Sequence, residues 1–162
     1  MLPQAKTIRE VYMSYETKLR ELGYVIEPID LNAGKIMHAV RTGNLIYTSG
    51  QVSRWGDREI KGKLGSDLTV EQGYEAALLS TLSALRAIRS LAGSLDTIVQ
   101  VVKVLGMVNV APDFDNTPAV IHGCSDLLLE VFGEAGRHAR SAVGMTIPLN
   151  YAVEIELIVE VQ

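Results

Sequence analysis

The clearest pattern in the chain is a stretch of helical periodicity between residues 70 and 92. Apolar residues recur there every three or four positions, which is typical of a helix that buries one face. Thr69 stands just before the stretch and Gln72 three residues later, a spacing that can form a capping box. Gly93 follows the last periodic residue, as expected of a helix stop. The sequence therefore predicts a long helix over 70–92.

Two further stretches share this periodicity. One covers about 117–132, with Pro118 in its first turn and Gly133 after its end. The other covers 7–22 and has Thr7 as a suitable N-cap. We expect a second long helix over 117–132 and a shorter N-terminal helix over 7–22.

Strand patterns occupy much of the remaining chain. Residues 97–110 are strongly apolar without clean alternation, which predicts a strand buried on both faces. In the last predicted strand, alternation places Glu154 and Glu156 on the face opposite the apolar residues. The other predicted strands cover 36–41, 45–49, 139–147 and 152–161. A glycine-containing segment, 53–68, reads as an exposed loop with room for a short strand.

This order of elements predicts a two-layer α+β domain, with two long helices on one face of a mixed sheet. The other face of the sheet then has no covering layer. A strand as apolar as 97–110 cannot expose one side to water without cost. We therefore expect the open face to be buried in a homo-oligomer.

Composition narrows the class of protein. The 162 residues suit one domain, and the net charge of −4 argues against a dedicated nucleic-acid binder. The single cysteine, Cys124, allows no intrachain disulfide and falls on an apolar helix stripe, which favours a buried core thiol. No metal-binding cluster, signal peptide or membrane-spanning run is evident. We expect a soluble cytoplasmic protein without a structural zinc site.

Arg140 and Glu154 are the residues with the most suggestive chemistry. A guanidinium can hold a carboxylate through two hydrogen bonds, and a nearby glutamate can activate a water molecule. The alternative is that Arg140 is only a charge at a strand edge and that the glutamates of the last strand face solvent. If the last two strands formed a simple hairpin, the two residues would lie roughly 14 Å apart. A shared site therefore needs non-adjacent strands or a neighbouring subunit.

Three motifs occur in order along the chain: Ser49-Gly50-Gln51, Ala139-Arg140-Ser141-Ala142-Val143 and Val153-Glu154-Ile155-Glu156. This series, spread over residues 36–161, resembles the RidA/YjgF family, also called the endoribonuclease L-PSP family. The resemblance implies a chorismate-mutase-like fold and a homotrimer with ligand clefts between subunits. It also implies cofactor-free hydrolysis of reactive enamines and imines to 2-keto acids and ammonia. Residues 1–34 resemble an extension to a family domain at 35–162.

The resemblance assigns roles to four residues. Arg140 matches the arginine that grips the substrate carboxylate, and Glu154 matches the glutamate that positions the attacking water. Ser49 matches the serine of the cleft. Ala142 stands where deaminases often have cysteine, at a position that acts largely through backbone groups.

Two departures from the family pattern concern the cleft. Near residue 36 the deaminases have a tyrosine, whereas this chain has Ile36-Met37-His38. His38 either lines the cleft or is a surface residue. In the second helix they have an asparagine, whose hydrogen bond Ser125 could replace. His122 either lines the cleft beside Ser125 or lies on the surface, and His138 is assigned a structural role.

Three functions remain open at this point. The first is a RidA-like hydrolytic deaminase of small enamine or imine carboxylic acids. The second is a non-catalytic binder of small carboxylates in an inter-subunit cleft, which the missing tyrosine and asparagine favour. The third, an endoribonuclease, is disfavoured by the acidic composition.

Overall fold

The computed structural model describes residues 13–162. In chain order its elements are α1 (Tyr15–Glu21), β1 (Ala39–Thr42), β2 (Leu45–Thr48), β3 (Gln51–Val52), β4 (Arg54–Trp55), β5 (Arg58–Glu59), α2 (Val70–Ala92), β6 (Ile98–Asn109), α3 (Thr117–Phe132), β7 (Ala139–Met145) and β8 (Val153–Val161). None of the helices in this described part is long and apolar enough to cross a membrane.

The main sheet has the strand order β1-β2-β8-β6-β7, and the short β3 also pairs with β8. Strands β6 and β7 run parallel, whereas the other pairs are antiparallel. The predicted α+β fold with a mixed sheet is therefore confirmed. Strands β4 and β5 form a separate small hairpin inside the segment predicted as a loop.

Helices α2 and α3 cover one face of the sheet and have the predicted bounds. Thr69 and Gln72 form the full capping box, and Gly93 ends α2 at a positive φ of 86°. The two helices approach closely at Gly123, where an added Cβ would lie 2.0 Å from the Tyr74 carbonyl oxygen. Only glycine permits this separation, so the sequence sets the distance between the helices.

The core lies between this helix layer and the sheet. Alternate residues of β8 from Val153 to Val161 are buried in it, while Glu154 and Glu156 lie on the other face, as predicted. Cys124 is fully buried in α3, and burial raises the pKa of its thiol to about 12. The prediction of a buried core thiol is confirmed.

The possibility of a hairpin between the last two strands is wrong. β6 lies between β7 and β8 and pairs with both of them. The reason is the crossover through α3, which returns the chain parallel to β6 and leaves the opposite edge of β6 for β8.

Two N-terminal boundaries also differ from prediction. Met13 and Ser14 are not helical, because the Ser14 hydroxyl accepts the Thr17 N–H and caps α1 at Tyr15. The predicted cap Thr7 lies outside the described residues. Strand β1 begins at Ala39 rather than residue 36, because residues 30–37 form a loop closed by side-chain-to-backbone hydrogen bonds.

The face of the sheet opposite the helices is covered only in part. The segment after β7 folds over one end of it and buries a small cluster made of Met107, Ile147 and Tyr151, with Val52 and Leu105 packed against it. Four large apolar residues of β1, β2 and β7 remain exposed, namely Val40, Tyr47, Val143 and Met145. This face, termed the open face below, therefore exposes several large apolar side chains.

Candidate functional site

Arg140 lies in the edge strand β7 and points toward the helix layer. Its cross-strand neighbour Val104 belongs to the core, which fixes the face on which Arg140 lies. Its Nη1 lies 3.0 Å from Nδ1 of His122 and 3.1 Å from Oγ of Ser125, both on α3. The structure therefore brings together the predicted residues Arg140, His122 and Ser125.

The hydrogen bonds around Ser125 form a consistent chain. Nδ1 of His138 lies 2.6 Å from the Gly136 carbonyl oxygen, which can only accept, so this nitrogen carries the proton. Nε2 of His138 then accepts the Ser125 hydroxyl at 2.9 Å, which leaves a lone pair of that oxygen for Arg140. Through Ser125, His138 helps to hold Arg140 in place.

The contribution of His138 to this network was not predicted. A signal was present in the sequence, since His138 and Arg140 are two residues apart and lie on one face of an extended segment. The sequence pattern could not predict where α3 packs, and α3 supplies Ser125, which bonds to both His138 and Arg140.

Much of the Arg140 guanidinium remains available to a ligand. Among residues 13–162, its Nε and Nη2 groups have no hydrogen-bond partner and no carboxylate forms a salt bridge with it. It faces an open depression that is also lined by His122, Ser125, Asp126, Leu129, Arg137 and His138. Asp126 is itself engaged, because it accepts the Tyr74 hydroxyl and raises the pKa of Tyr74 to about 12.

Ala142 contributes backbone groups next to this depression. The Met145 carbonyl oxygen accepts the Val110 N–H, so the backbone N–H and C=O groups of Met145 face β6. These groups alternate in direction along a strand, so those of Ala142, three residues earlier, point away from β6. The Thr117 hydroxyl donates to the Ala142 carbonyl there. The Ala142 N–H therefore faces the outer edge of the sheet.

Glu154 lies on the open face of the sheet. Burial and, second, the charge of Glu156 raise the pKa of its carboxyl above the ordinary value of 4.5. No hydrogen-bond partner for this carboxyl occurs in the described part of the chain. Gly50 packs against it so closely that an added Cβ would lie 1.9 Å from Glu154 Oε1.

Ser49 directly precedes Gly50, which packs against Glu154, and His38 lies beside Ser49. The Ser49 hydroxyl donates to the Met37 carbonyl oxygen at 2.6 Å, and the Ser49 N–H donates to the His38 carbonyl oxygen at 2.9 Å. The structure thus places His38 next to Ser49 and away from the depression that holds Arg140.

The predicted site residues therefore form two groups within one chain. Arg140, His122, Ser125 and Ala142 lie at the β7 edge, whereas Glu154, Ser49 and His38 lie near β3 and β8. Glu154 of β8 pairs with Met107 of β6, and Arg140 of β7 pairs with Val104 of β6. Met107 and Val104 lie on opposite faces of β6, so Glu154 and Arg140 lie on opposite faces of the sheet. One copy of the chain does not bring Arg140 and Glu154 together. Residues 13–162 also contain no cluster of three His, Cys, Asp or Glu side chains able to hold a metal.

A model of the family described as "YjgF/chorismate_mutase-like, putative endoribonuclease" matches residues 18–161. The chain belongs to this YjgF family. The resemblance inferred from the sequence motifs and the chorismate-mutase-like fold are thereby confirmed.

Relatives of this YjgF protein span nearly its whole length. Protein TCP17 from Trypanosoma cruzi is 37% identical over 145 residues, which cover 88% of this chain and 91% of TCP17. Atu1372 from Agrobacterium tumefaciens, a solved structure of unknown function, is 36% identical with a TM-score of 0.83, covering 91% of this chain and 94% of its own. A "putative endoribonuclease" structure from Shewanella oneidensis MR-1 is 33% identical with a TM-score of 0.86, covering 92% and 100%.

Proposed function

We propose that this YjgF protein is a RidA-like hydrolytic deaminase of small reactive enamine or imine carboxylic acids, releasing a 2-keto acid and ammonia. The observation that carries the proposal is the arrangement around Arg140. Its Nη1 is held by His122 and Ser125, Nε and Nη2 have no hydrogen-bond partner among residues 13–162, and the side chain lines an open depression. Such a half-anchored guanidinium is suited to bidentate binding of a carboxylate.

Glu154 supplies the second requirement, a group that can hold and deprotonate water. Its half-buried carboxylate has a raised pKa, which makes it a better proton acceptor than an exposed glutamate. In the proposed reaction, water attacks the imine carbon while Glu154 accepts its proton. Glu154 passes this proton to the imine nitrogen, which gives a carbinolamine. The carbinolamine hydroxyl then loses its proton to Glu154 as the C–N bond breaks and the keto group forms, and this second proton goes to the leaving nitrogen, so that ammonia departs from the 2-keto acid.

The separation of the two groups leads to a proposal about assembly. Because Arg140 and Glu154 lie on opposite faces of one sheet, we propose that the complete site forms between copies of the chain in a homotrimer. The exposed apolar side chains of the open face, such as Val143 and Tyr47, support burial of that face by a second copy. Ser49 and His38 would enter the cleft with Glu154.

The direct test is ammonia release from 2-iminopropionate that an amino-acid oxidase generates in situ. Wild type is expected to accelerate release over buffer and Arg140→Ala to lose the acceleration. Arg20→Ala is the matched control, since Arg20 is an exposed arginine on α1 outside any ion pair of the described residues. No acceleration by wild type would refute deaminase activity on this substrate.

Mixing two inactive variants tests the inter-subunit site. Arg140→Ala retains an intact Glu154, and Glu154→Gln retains an intact Arg140. After the two are unfolded and refolded together, some interfaces combine both intact side chains and recover activity. A mixture as inactive as its components would contradict a site shared between subunits.

A second candidate function is non-catalytic binding of small carboxylates. It is favoured by the open depression at Arg140, which needs no contribution from Glu154 to hold an anion. Pyruvate binding by wild type and by Glu154→Gln, with no ammonia release by either, would support this function over the deaminase.

A further inference from the structure

Two arginines, Arg54 and Arg86, line a pocket between α2 and the β4–β5 hairpin. This pocket shares no lining residue with the depression at Arg140. The pocket encloses about 250 Å³ and is lined by Gln51, Val52, Arg54, Trp55, Gly56, Ser83 and Arg86. Ser83 and Arg86 are three residues apart and share a face of α2, and the Ser83 hydroxyl donates to the Arg54 carbonyl oxygen at 2.6 Å. The hairpin and the helix are thus joined at this pocket.

Arg86 has a buried polar group without a partner. Its Nε is the one buried side-chain nitrogen or oxygen that lacks a hydrogen bond in the part of the chain that the structure describes. Leaving such a donor unsatisfied costs about 1–3 kcal/mol, and more when the group is charged. An unpaired buried group of this kind calls for a specific explanation, such as local strain or a bound ion or water.

The charge around Arg86 is also unbalanced. Desolvation and the neighbouring charge of Arg54 both lower the pKa of Arg86. No carboxylate among the described residues forms a salt bridge with either arginine. Glu59 faces Arg54 across the hairpin, but its carboxylate is engaged by the Tyr151 hydroxyl at 3.0 Å and by Lys61 at 3.4 Å.

The Arg86 guanidinium lies over the indole ring of Trp55. The guanidinium carbon lies 5.1 Å from the centre of the indole ring. A guanidinium that lies over an aromatic ring can still donate hydrogen bonds from its remaining N–H groups. This arrangement suits a planar, bidentate contact with two oxygens of an anion.

We propose that Arg54, Trp55 and Arg86 form a second binding site, separate from Arg140, for a small metabolite that carries an oxyanion. The pocket is smaller than the roughly 300–1,000 Å³ of sites for drug-sized ligands, so the ligand is small. A phosphate and a carboxylate share the oxyanion chemistry, and the choice between them is left to the experiment.

Trp55 makes the test direct, because it is the single tryptophan of the chain. The full-length protein is titrated with inorganic phosphate and, separately, with acetate, at an ionic strength held constant with sodium chloride. A saturable change in Trp55 emission is expected for at least one anion. The change is expected to disappear in Arg86→Met, which keeps the apolar stem, and to require at least tenfold more anion in Arg54→Ala.

Arg140→Ala is the matched control and is expected to titrate like wild type, which separates this site from the proposed deaminase site. Unfolding gives a second readout once the Arg140 site is removed: the bound anion is expected to raise the midpoint of Arg140→Ala and not that of the double variant Arg140→Ala/Arg86→Met. If Arg86→Met does not fold, Arg54→Ala carries the test, because the Arg54 side chain is exposed. No saturable response up to about 10 mM of either anion, or an equal response in Arg54→Ala, overturns the proposal.

Discussion

Gly50 controls where the Glu154 carboxylate lies, and replacing it by alanine tests the proposed role of that carboxylate. The added Cβ would lie 1.9 Å from Oε1 and 2.7 Å from Cδ of Glu154, whereas real Cβ contacts are essentially never under 3.0 Å. The carboxylate must therefore withdraw by about 1.1 Å to move from 1.9 Å to 3.0 Å. A misplacement of about 1 Å at a reacting group can cost about 100-fold in rate.

Stability is expected to change little in Gly50→Ala. The clash involves the end of a flexible side chain, and Gly50 is not among the glycines with positive φ, so alanine fits the backbone. The loss of unfolded-state entropy contributes about 0.4–1 kcal/mol in favour of the variant. We therefore expect kcat for ammonia release to fall about 100-fold while the free energy of unfolding in urea stays within about 1 kcal/mol of wild type.

The Glu154→Asp background provides the control for this prediction. Aspartate is shorter by one methylene and leaves room for the methyl group that Gly50→Ala adds, so this substitution is expected to cost much less there than in wild type. Such a difference is a coupling between the two positions. A full loss of activity in both backgrounds, or wild-type activity in Gly50→Ala, would show that the position of this carboxylate does not limit the rate.

Three further predictions concern the helix layer and the two groups of site residues. Gly123→Ala gains about 1 kcal/mol of helix propensity but places Cβ 2.0 Å from the Tyr74 carbonyl oxygen, and overpacking of this kind costs about 1–3 kcal/mol or more. We expect a net loss of about 1–2 kcal/mol in urea unfolding, and an unchanged or raised midpoint would contradict the close helix contact. Glu154→Gln is expected to be more stable than wild type near neutral pH, because a raised carboxyl pKa means that wild type loses stability as pH rises above the ordinary value of 4.5. Thermal unfolding over a pH series checks this, and an advantage that persists unchanged into acid would exclude ionisation as its cause. Ser125→Ala removes the link between Arg140 and His138 and is expected to raise KM for 2-iminopropionate about tenfold, by loss of a hydrogen bond to a charged group. An unchanged KM in steady-state ammonia release would argue against the anchoring role of Ser125.

The helices were predictable because their ends carry local signals. The capping box at Thr69 and Gln72 and the stop at Gly93 lie within a few residues of the bonds they form. Pro118 and Gly133 mark α3 in the same way. Such features depend on neighbouring residues, so they can be read from the sequence without knowledge of the tertiary structure.

Strand pairing was less predictable because it is not local. Nothing in the composition of β7 or β8 states that β6 separates them, and the placement follows from the crossover through α3. Arg140 and Glu154 could be named from the motifs that resemble the family, yet their contacts could not. The partners of Arg140 on α3 are 15 and 18 residues away in sequence, at a distance set by helix packing.

The unpartnered groups share one physical feature, which is that the single chain leaves their charge unsatisfied. Glu154 is half-buried without a hydrogen bond among the described residues, and much of the Arg140 guanidinium has no partner there either. A charged group kept in this state raises the free energy of the isolated chain, and whatever satisfies it is bound more tightly for that reason. If the proposed cleft joins Arg140 of one copy to Glu154 of another, a ligand in it contacts both copies. Ligand binding and assembly are then linked by mass action, so a carboxylate ligand is expected to stabilise the oligomer against dilution.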